Sequence, residues 1–301
     1  MSSLSKRRKI QQSTGERIFD VANVIFLSLF AFAALYPFLN TIANSLSSNR
    51  AILAGEVYLW PIEINIEAYN QIWMDPYLFK AMRNTVVLTV FGTIINMTAT
   101  ILAAYPLSRP QFPGKKVIMV MITITMFFGG GLIPTFVLMN TLGLMNKYSG
   151  LWILSLFSTY NMIVMRTFFQ GLPAELEESA AIEGANDIVI LVKIMLPLSM
   201  PVLATLTLFY AVGWWNSYMG PLLYISDPEK VTLMLKLRQL LWAAQTALQQ
   251  INEEGLMNKP RVTEEAFKAA AVLVSTIPII LVYPFLQKYF VKGVMVGALK
   301  G

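Results

Sequence analysis

Six long stretches without a charged residue decide what kind of structure this chain can adopt. They cover residues 21–49, 84–108, 117–146, 148–165, 194–226 and 269–287. Each is close to or longer than the ~18–20 residues that a helix needs to cross a bilayer. Backbone polar groups must be paired with one another inside lipid, which favours helices over open strands. The sequence therefore predicts an all-α integral membrane protein with six transmembrane helices.

Composition excludes several classes of function. Hydrophobic residues make up 56% of the chain and charged residues only 13%, against ~25% charged residues in a typical soluble domain. The sequence contains no Cys and no His, so disulfides, thiolate chemistry, imidazole catalysis and the usual zinc sites are excluded. We predict no catalytic residue, no metal site and no nucleic-acid partner.

The net charge of +6 arises mainly from basic residues placed beside the apolar stretches. These residues precede the first stretch, separate the second from the third, and follow the last: Lys6, Arg7, Arg8, Lys9, Arg17, Arg109, Lys115, Lys116, Lys288, Lys292 and Lys300. Such segments face the cytoplasm by the positive-inside rule, although some basic residues also occur in the predicted outer segments. We therefore predict cytoplasmic termini at 1–19 and 289–301, with a six-helix membrane domain over 20–288. No cleavable signal peptide is predicted, because the long first apolar run lacks a small-residue cleavage site.

Several of the stretches carry residues that can bend a helix. Three consecutive glycines occupy 129–131, and Pro197 and Pro201 lie in the fifth stretch. Glycines permit a break or a close helix approach, and prolines are tolerated in spans where other groups satisfy the freed carbonyls. In the outer segment 219–262, leucines recur at helical spacing over 231–248, which predicts an amphipathic helix. That helix could dock on a partner or cap the membrane domain.

Between the fourth and fifth stretches lies a charged segment, 170–193, that needs a partner in water. Pro173 can open a helix, and the three glutamates at 175, 177 and 178 place negative charge where the helix dipole favours it. Gly184 is a natural helix stop, and Asn186 with Asp187 can cap the next helix. The segment predicts a short helix-turn-helix projecting from the membrane. The alternative is an amphipathic connector that lies on the bilayer surface.

This segment resembles the EAA loop of binding-protein-dependent ABC importer permeases, E-A-A-x-x-x-G followed by nine residues and I-x-L-P. Ser179 replaces the first alanine of that motif, and the matching residues are Glu178, Ala180, Gly184, Ile194, Leu196 and Pro197. In the family this loop docks on a cytoplasmic ATPase. The resemblance thus implies a docking role for Glu178, Ser179, Ala180, Ala181, Gly184, Ala185, Ile194, Leu196 and Pro197, with Ala180 and Gly184 in the closest contact.

Three further segments narrow the resemblance. Residues 127–144, 169–185 and 283–301 are similar to the complex-oligosaccharide subgroup of carbohydrate permeases, in the branch of the second maltose-importer permease. The similarity extends over essentially the whole chain. It implies a type I ABC importer permease in the bacterial cytoplasmic membrane. The implied partners are a second related permease in a heterodimer, a cytoplasmic ATPase dimer and an extracellular or periplasmic solute-binding protein, and the implied substrate is an oligosaccharide.

ATP hydrolysis is assigned to another polypeptide. The chain contains no G-x-x-x-x-G-K-[ST] loop, the segment that cradles nucleotide phosphates in such ATPases. ATP and Mg are therefore expected on the partner ATPase, and this chain is predicted to bind no cofactor.

Aromatic and amide side chains suit the C–H faces and hydroxyls of a sugar. The candidates for the substrate pathway are Trp214, Trp215, Asn216, Tyr218, Tyr160 and Asn161. Their alternative role is an interfacial aromatic belt with interhelical hydrogen bonds, the role that we favour for Asn96.

Three other functions compete with oligosaccharide import. An ABC permease for a non-sugar solute would share the loop. A secondary transporter often carries intramembrane acidic or histidine residues for ion coupling, and the charge-free stretches carry none. A membrane-embedded enzyme would need a nucleophile with its base or a metal cluster, and the sequence shows neither.

Overall fold

The structure is a computed structural model, and it describes residues 13–156, 158–254 and 262–298. Within these ranges the chain is helical and contains no strand, which confirms the all-α class. The helices are α1 (Thr14–Ser45), α2 (Asn49–Leu53), α3 (Glu67–Trp73), α4 (Leu78–Ser108), α5 (Lys115–Phe127), α6 (Leu132–Thr141), α7 (Tyr148–Leu154), α8 (Thr159–Gln170), α9 (Glu175–Ile182), α10 (Asp187–Ile190), α11 (Leu196–Leu198), α12 (Met200–Trp215), α13 (Met219–Tyr224), α14 (Leu233–Glu254) and α15 (Glu264–Ala298). The predicted terminal segments 1–19 and 289–301 fall partly outside the described residues.

The described residues contain part of the predicted set of spans, and the count of six stays a prediction. Among the described residues, α1 and α4 are each long and apolar enough to cross a membrane. The pair α5 and α6 is bent by 112°, and the pair Asp187–Leu198 and Met200–Trp215 by 84°, so the count rises to four if each pair is one span. The fourth predicted stretch is divided between α7 and α8.

Both of these bends occur where the sequence places helix-breaking residues. Between α5 and α6 the backbone turns at Gly131, whose φ of 77° lies in the left-handed region that favours glycine. The second bend falls at Ser199, between α11 and α12, where Pro201 occupies the first turn of the new helix. Proline is accepted there because the first turn needs no N–H donor. The predicted bends are therefore confirmed.

Residues 13–70, with 262–273, form one compact unit. Its α1 begins at a capping box between Ser13 and Glu16, and apolar side chains from Ile18 to Leu39 are largely exposed. The far end of α1 is tied down by polar contacts, since Tyr69 Oη donates to Ser45 Oγ at 2.9 Å. An exposed apolar surface of this extent fits contact with lipid or with another apolar helix.

The second unit, residues 71–254 with 274–298, is built on α4. Helices α8 and α12 pack along it, and the fully buried side chains between them include Met162, Phe169 and Leu206. The N-terminal end of α4 holds the segment before α14, because Asn84 Nδ2 donates to Glu229 O at 2.7 Å. The predicted amphipathic helix over 231–248 is confirmed as α14.

Candidate functional site

The loop over 170–193 forms the helix-turn-helix that the sequence predicts. After α9, Gly184 adopts a φ of +85°. Its N–H donates to Ala181 O, and the Ala185 N–H donates to Ala180 O, both at 3.0 Å. These two bonds form a Schellman motif, which ends a helix by satisfying its last carbonyls. Asn186 Oδ1 then accepts from Val189 N at 2.9 Å and caps α10.

The predicted docking residues differ in how much surface they offer. Exposed residues of the set are Glu178, Ser179, Ala181, Gly184 and Pro197, whereas Ala185, Ile194 and Leu196 are partly buried. Ala180 is only 9% exposed and packs into the core of this chain. Ala180 is therefore buried, whereas Gly184 is exposed. The surface available to a partner centres on Ala181 and Gly184.

Two large apolar side chains, which were not predicted from the sequence, flank this surface. Ile182 is 88% exposed and Ile188 is 73% exposed, on either side of the Gly184 turn. Such exposed apolar side chains are available for contact with a protein or with a membrane. The EAA motif does not indicate them, because neither position is specified in it.

A second candidate site is a cavity of about 480 Å³ among α4, α8 and α12. Its lining combines amides, hydroxyls and aromatic rings and contains no charged side chain: Asn96, Ser155, Ser158, Asn161, Phe209, Tyr210, Gly213, Trp214 and Ser217. Tyr210 and Trp214 lie four residues apart on α12, which places both side chains on one face of that helix. The cavity therefore has a polar and aromatic wall along α12.

Trp214 is fixed against α4 by a close approach and a hydrogen bond. A Cβ at Gly92 would lie 2.5 Å from the indole ring, so only glycine leaves room for it. The indole Nε1 donates to Asn96 Oδ1. The Asn96 amide in turn donates to the carbonyls of Ser155 and Leu156, at 2.7 Å for Leu156. These bonds match the interhelical role expected for Asn96.

The interruption between α7 and α8 has its polar groups satisfied by neighbouring helices. Asn96 Nδ2 donates to the carbonyls of Ser155 and Leu156, the two residues directly after α7. The Ser158 N–H donates to Tyr210 Oη at 3.0 Å. A further bond of 2.7 Å joins Tyr210 Oη to Thr100 Oγ1. Non-helical backbone inside a membrane is stable only when it is paired in this way. The interrupted segment thus forms part of the cavity wall.

The predicted pathway residues do not all reach this cavity. Asn161 and Trp214 line it. Trp215 is turned to α15, where its Nε1 donates to Ser275 O at 3.0 Å. Tyr160 and Asn216 are exposed and Tyr218 is half-buried, and none of the three is part of the lining. Tyr210 and the lining serines were not predicted from the sequence. Tyr210 could have been found from its spacing of four residues before Trp214 on α12.

Interrupted apolar helices, a polar cavity without charged side chains and an exposed charged loop are together typical of a membrane transport component. A family model described as "Binding-protein-dependent transport system inner membrane component" matches residues 95–296, and the chain belongs to this family. The predicted family is thereby confirmed. The family is a transport component, not an enzyme.

Similar proteins agree with this assignment. The chain is 39% identical to the polygalacturonan/rhamnogalacturonan transport system permease protein YtcP of Bacillus subtilis (strain 168), over 95% of this chain and 99% of that protein. A solved bacterial ABC transporter involved in the import of the acidic polysaccharide alginate has a chain with 34% identity and a TM-score of 0.80, covering 94% of this chain and 100% of its own.

A second solved structure shows the fold alone. It is a bacterial alginate ABC transporter in complex with an alginate pentasaccharide-bound periplasmic protein, with 14% identity and a TM-score of 0.59. The likeness covers 90% of this chain and 93% of that one. Together the two structures confirm the predicted permease fold.

Proposed function

We propose that this chain forms half of the membrane pathway of an ATP-driven importer for oligosaccharides in the bacterial cytoplasmic membrane. A second related permease completes the pathway, a cytoplasmic ATPase dimer drives it, and an extracellular or periplasmic solute-binding protein delivers the sugar. Support comes from the family match and from relatives named for polygalacturonan, rhamnogalacturonan and alginate import.

The cavity beside Trp214 is the main observation that supports a sugar as the substrate. Its lining offers hydroxyl and amide groups with aromatic faces, and no Asp, Glu, Lys or Arg belongs to it. Sugars are bound by such combinations of hydrogen bonding and ring contact. An ion-coupled secondary transporter often carries an ionisable group on its pathway. The cavity therefore supports sugar import over the ion-coupled alternative.

The mechanism follows from the connection between the loop and the cavity. The α9–α10 loop continues through a π-helical turn, Leu191–Met195, into α11 and the bend before α12. ATP and Mg, bound by the partner ATPases, would close those subunits and move the docked loops. Nucleotide must favour one state of the pathway for this movement to occur. This movement would tilt α12, and the cavity would then open to the other side of the membrane.

A reconstituted importer tests this function. The two permeases, the ATPases and the binding protein are placed in proteoliposomes, and ATP hydrolysis is measured with oligogalacturonides, rhamnogalacturonan fragments, alginate fragments, neutral oligosaccharides and peptides. We expect one oligosaccharide class to stimulate hydrolysis and to accumulate inside. Stimulation by peptides alone, or by no sugar of the panel, would contradict the proposal.

The membrane topology, with six spans and both termini inside, can be tested by cysteine labelling. The chain has no native cysteine, so single substitutions are unambiguous. Ala54→Cys lies on an exposed turn predicted to be outside, and Gln111→Cys on an exposed turn predicted to be inside. A membrane-impermeant maleimide should label Ala54→Cys in intact cells and Gln111→Cys only after permeabilisation. The reverse pattern would overturn the orientation.

A further inference from the structure

The C-terminal end of α4 is held by side chains from two other helices. Arg166 of α8 donates from Nε to Leu107 O at 2.9 Å. Lys115 of α5 donates from Nζ to Arg109 O at 3.1 Å. Cations at this end satisfy the last carbonyls and match the negative end of the helix dipole. This end of α4 is therefore firmly joined to its neighbours.

Arg109, directly after α4, also reaches the loop that carries the docking surface. Its guanidinium forms an ion pair with Glu177 of α9, and the side chains are only 22% and 17% exposed. The same guanidinium lies 4.3 Å from the centre of the Tyr105 ring. Its Nε and Nη2 atoms are buried without a hydrogen-bond partner among the described residues. The pairing with Glu177 thus compensates a charge that is largely removed from water.

This ion pair gives the docking loop a second connection to the cavity. The covalent route runs from α9 through α10, the π-helical turn and an 84° bend before it reaches α12. The Arg109–Glu177 route leads from α9 directly to α4. Helix α4 is also the helix that holds Trp214 through Gly92 and Asn96. A displacement of α4 would move this wall of the cavity.

We propose that Arg109 is a positioning residue that transmits the movement of α9 to α4 through Glu177. The proposal rests on the proposed transport function. Exposed ion pairs couple their elements weakly, whereas breaking a buried pair leaves an uncompensated charge. The docked ATPases thereby act on the cavity through α4 as well as through α12.

A charge exchange tests this role in the complete importer in proteoliposomes. The variants are Arg109→Glu, Glu177→Arg and the combination of both, with sugar uptake and ATP hydrolysis measured together. Each single variant should lower the sugar transported per ATP by about tenfold, within the usual range of coupling between sites. The combined variant should recover most of that ratio. Arg109→Lys, which keeps the charge, should lie between the wild type and Arg109→Glu.

The matched control is Glu175→Gln, which removes an exposed carboxylate from the same first turn of α9. It should leave the transport ratio unchanged. Single variants with a normal ratio, or a combined variant as defective as the singles, would overturn the role of Arg109. Loss of ATPase co-purification in the singles without recovery in the combined variant would also overturn it, because Glu177 would then belong to the docking surface. Failure of the proposed function is distinct, since the wild type itself would show no sugar-stimulated hydrolysis.

Discussion

Gly184→Trp is expected to release the cytoplasmic ATPases from the complex, whereas Gly184→Ala is expected to retain them. Both substitutions strain the backbone, because any side chain at a φ of +85° is unfavourable by about 1–2 kcal/mol. No atom of the described chain lies within 4 Å of the added Cβ position. Since the added Cβ meets no atom of the described chain, we expect the extra bulk of tryptophan to act on the partner. Loss of a contact at the centre of an interface costs ~2 kcal/mol or more, about thirtyfold in affinity.

Co-purification of the ATPases and sugar uptake in proteoliposomes measure this effect. Gly143→Trp is the matched control, because Gly143 has a φ of 64° and equally open space but lies outside the loop. It should keep both activities. Equal ATPase retention in Gly184→Trp and Gly184→Ala would sink the docking assignment. The loop would then be the bilayer-surface connector, with Ile182 and Ile188 inserted among lipids.

Asn161→Leu and Asn96→Leu are expected to separate sugar binding from helix packing. The Asn161 side chain lines the cavity, and its backbone N–H donates to Ser158 Oγ. Loss of the side-chain amide should raise the KM for uptake by roughly three- to tenfold, the value of one hydrogen bond of ~0.5–1.5 kcal/mol. Thermal stability in detergent should fall much less than in Asn96→Leu, because the backbone N–H of Asn161 keeps its bond to Ser158 Oγ.

Asn96→Leu should act in the opposite way. It leaves two carbonyls and the Trp214 indole N–H without their partner, and each unsatisfied buried group costs about 1–3 kcal/mol. The thermal midpoint should fall and uptake should be lost at every sugar concentration. A wild-type KM in Asn161→Leu would remove this cavity from the sugar pathway. Undiminished stability in Asn96→Leu would contradict the packing role.

The helix-turn-helix of α9 and α10 could be predicted from the sequence because the residues that shape it act locally. Gly184 ends one helix and Asn186 starts the next through bonds that reach no more than five residues. The break between α7 and α8 could not be predicted in this way. The segment 155–158 contains no glycine and no proline, and its partners Asn96 and Tyr210 lie 59 and 52 residues away. Only the assembled helices bring these groups together.

The cavity was predictable in part for a related reason. Aromatic and amide residues near the end of the fifth stretch suggested a sugar pathway, and Trp214 and Asn161 do line the cavity. Adjacent residues of a helix point about 100° apart, so Trp215 faces α15. Composition alone cannot distinguish the two tryptophans. Which tryptophan lines the cavity depends on the position of Gly92 in α4, because the missing side chain there leaves room for the Trp214 indole.

The divided fourth stretch also fixes an order of events during synthesis. Asn96 is made before the break and is ready when residues 155 and 156 emerge from the ribosome. Tyr210 follows Ser158 by 52 residues, about 3–10 s at 5–20 residues per second. During that interval the Ser158 N–H lacks its final partner. The break between α7 and α8 therefore reaches its final pairing only after α12 has been synthesised.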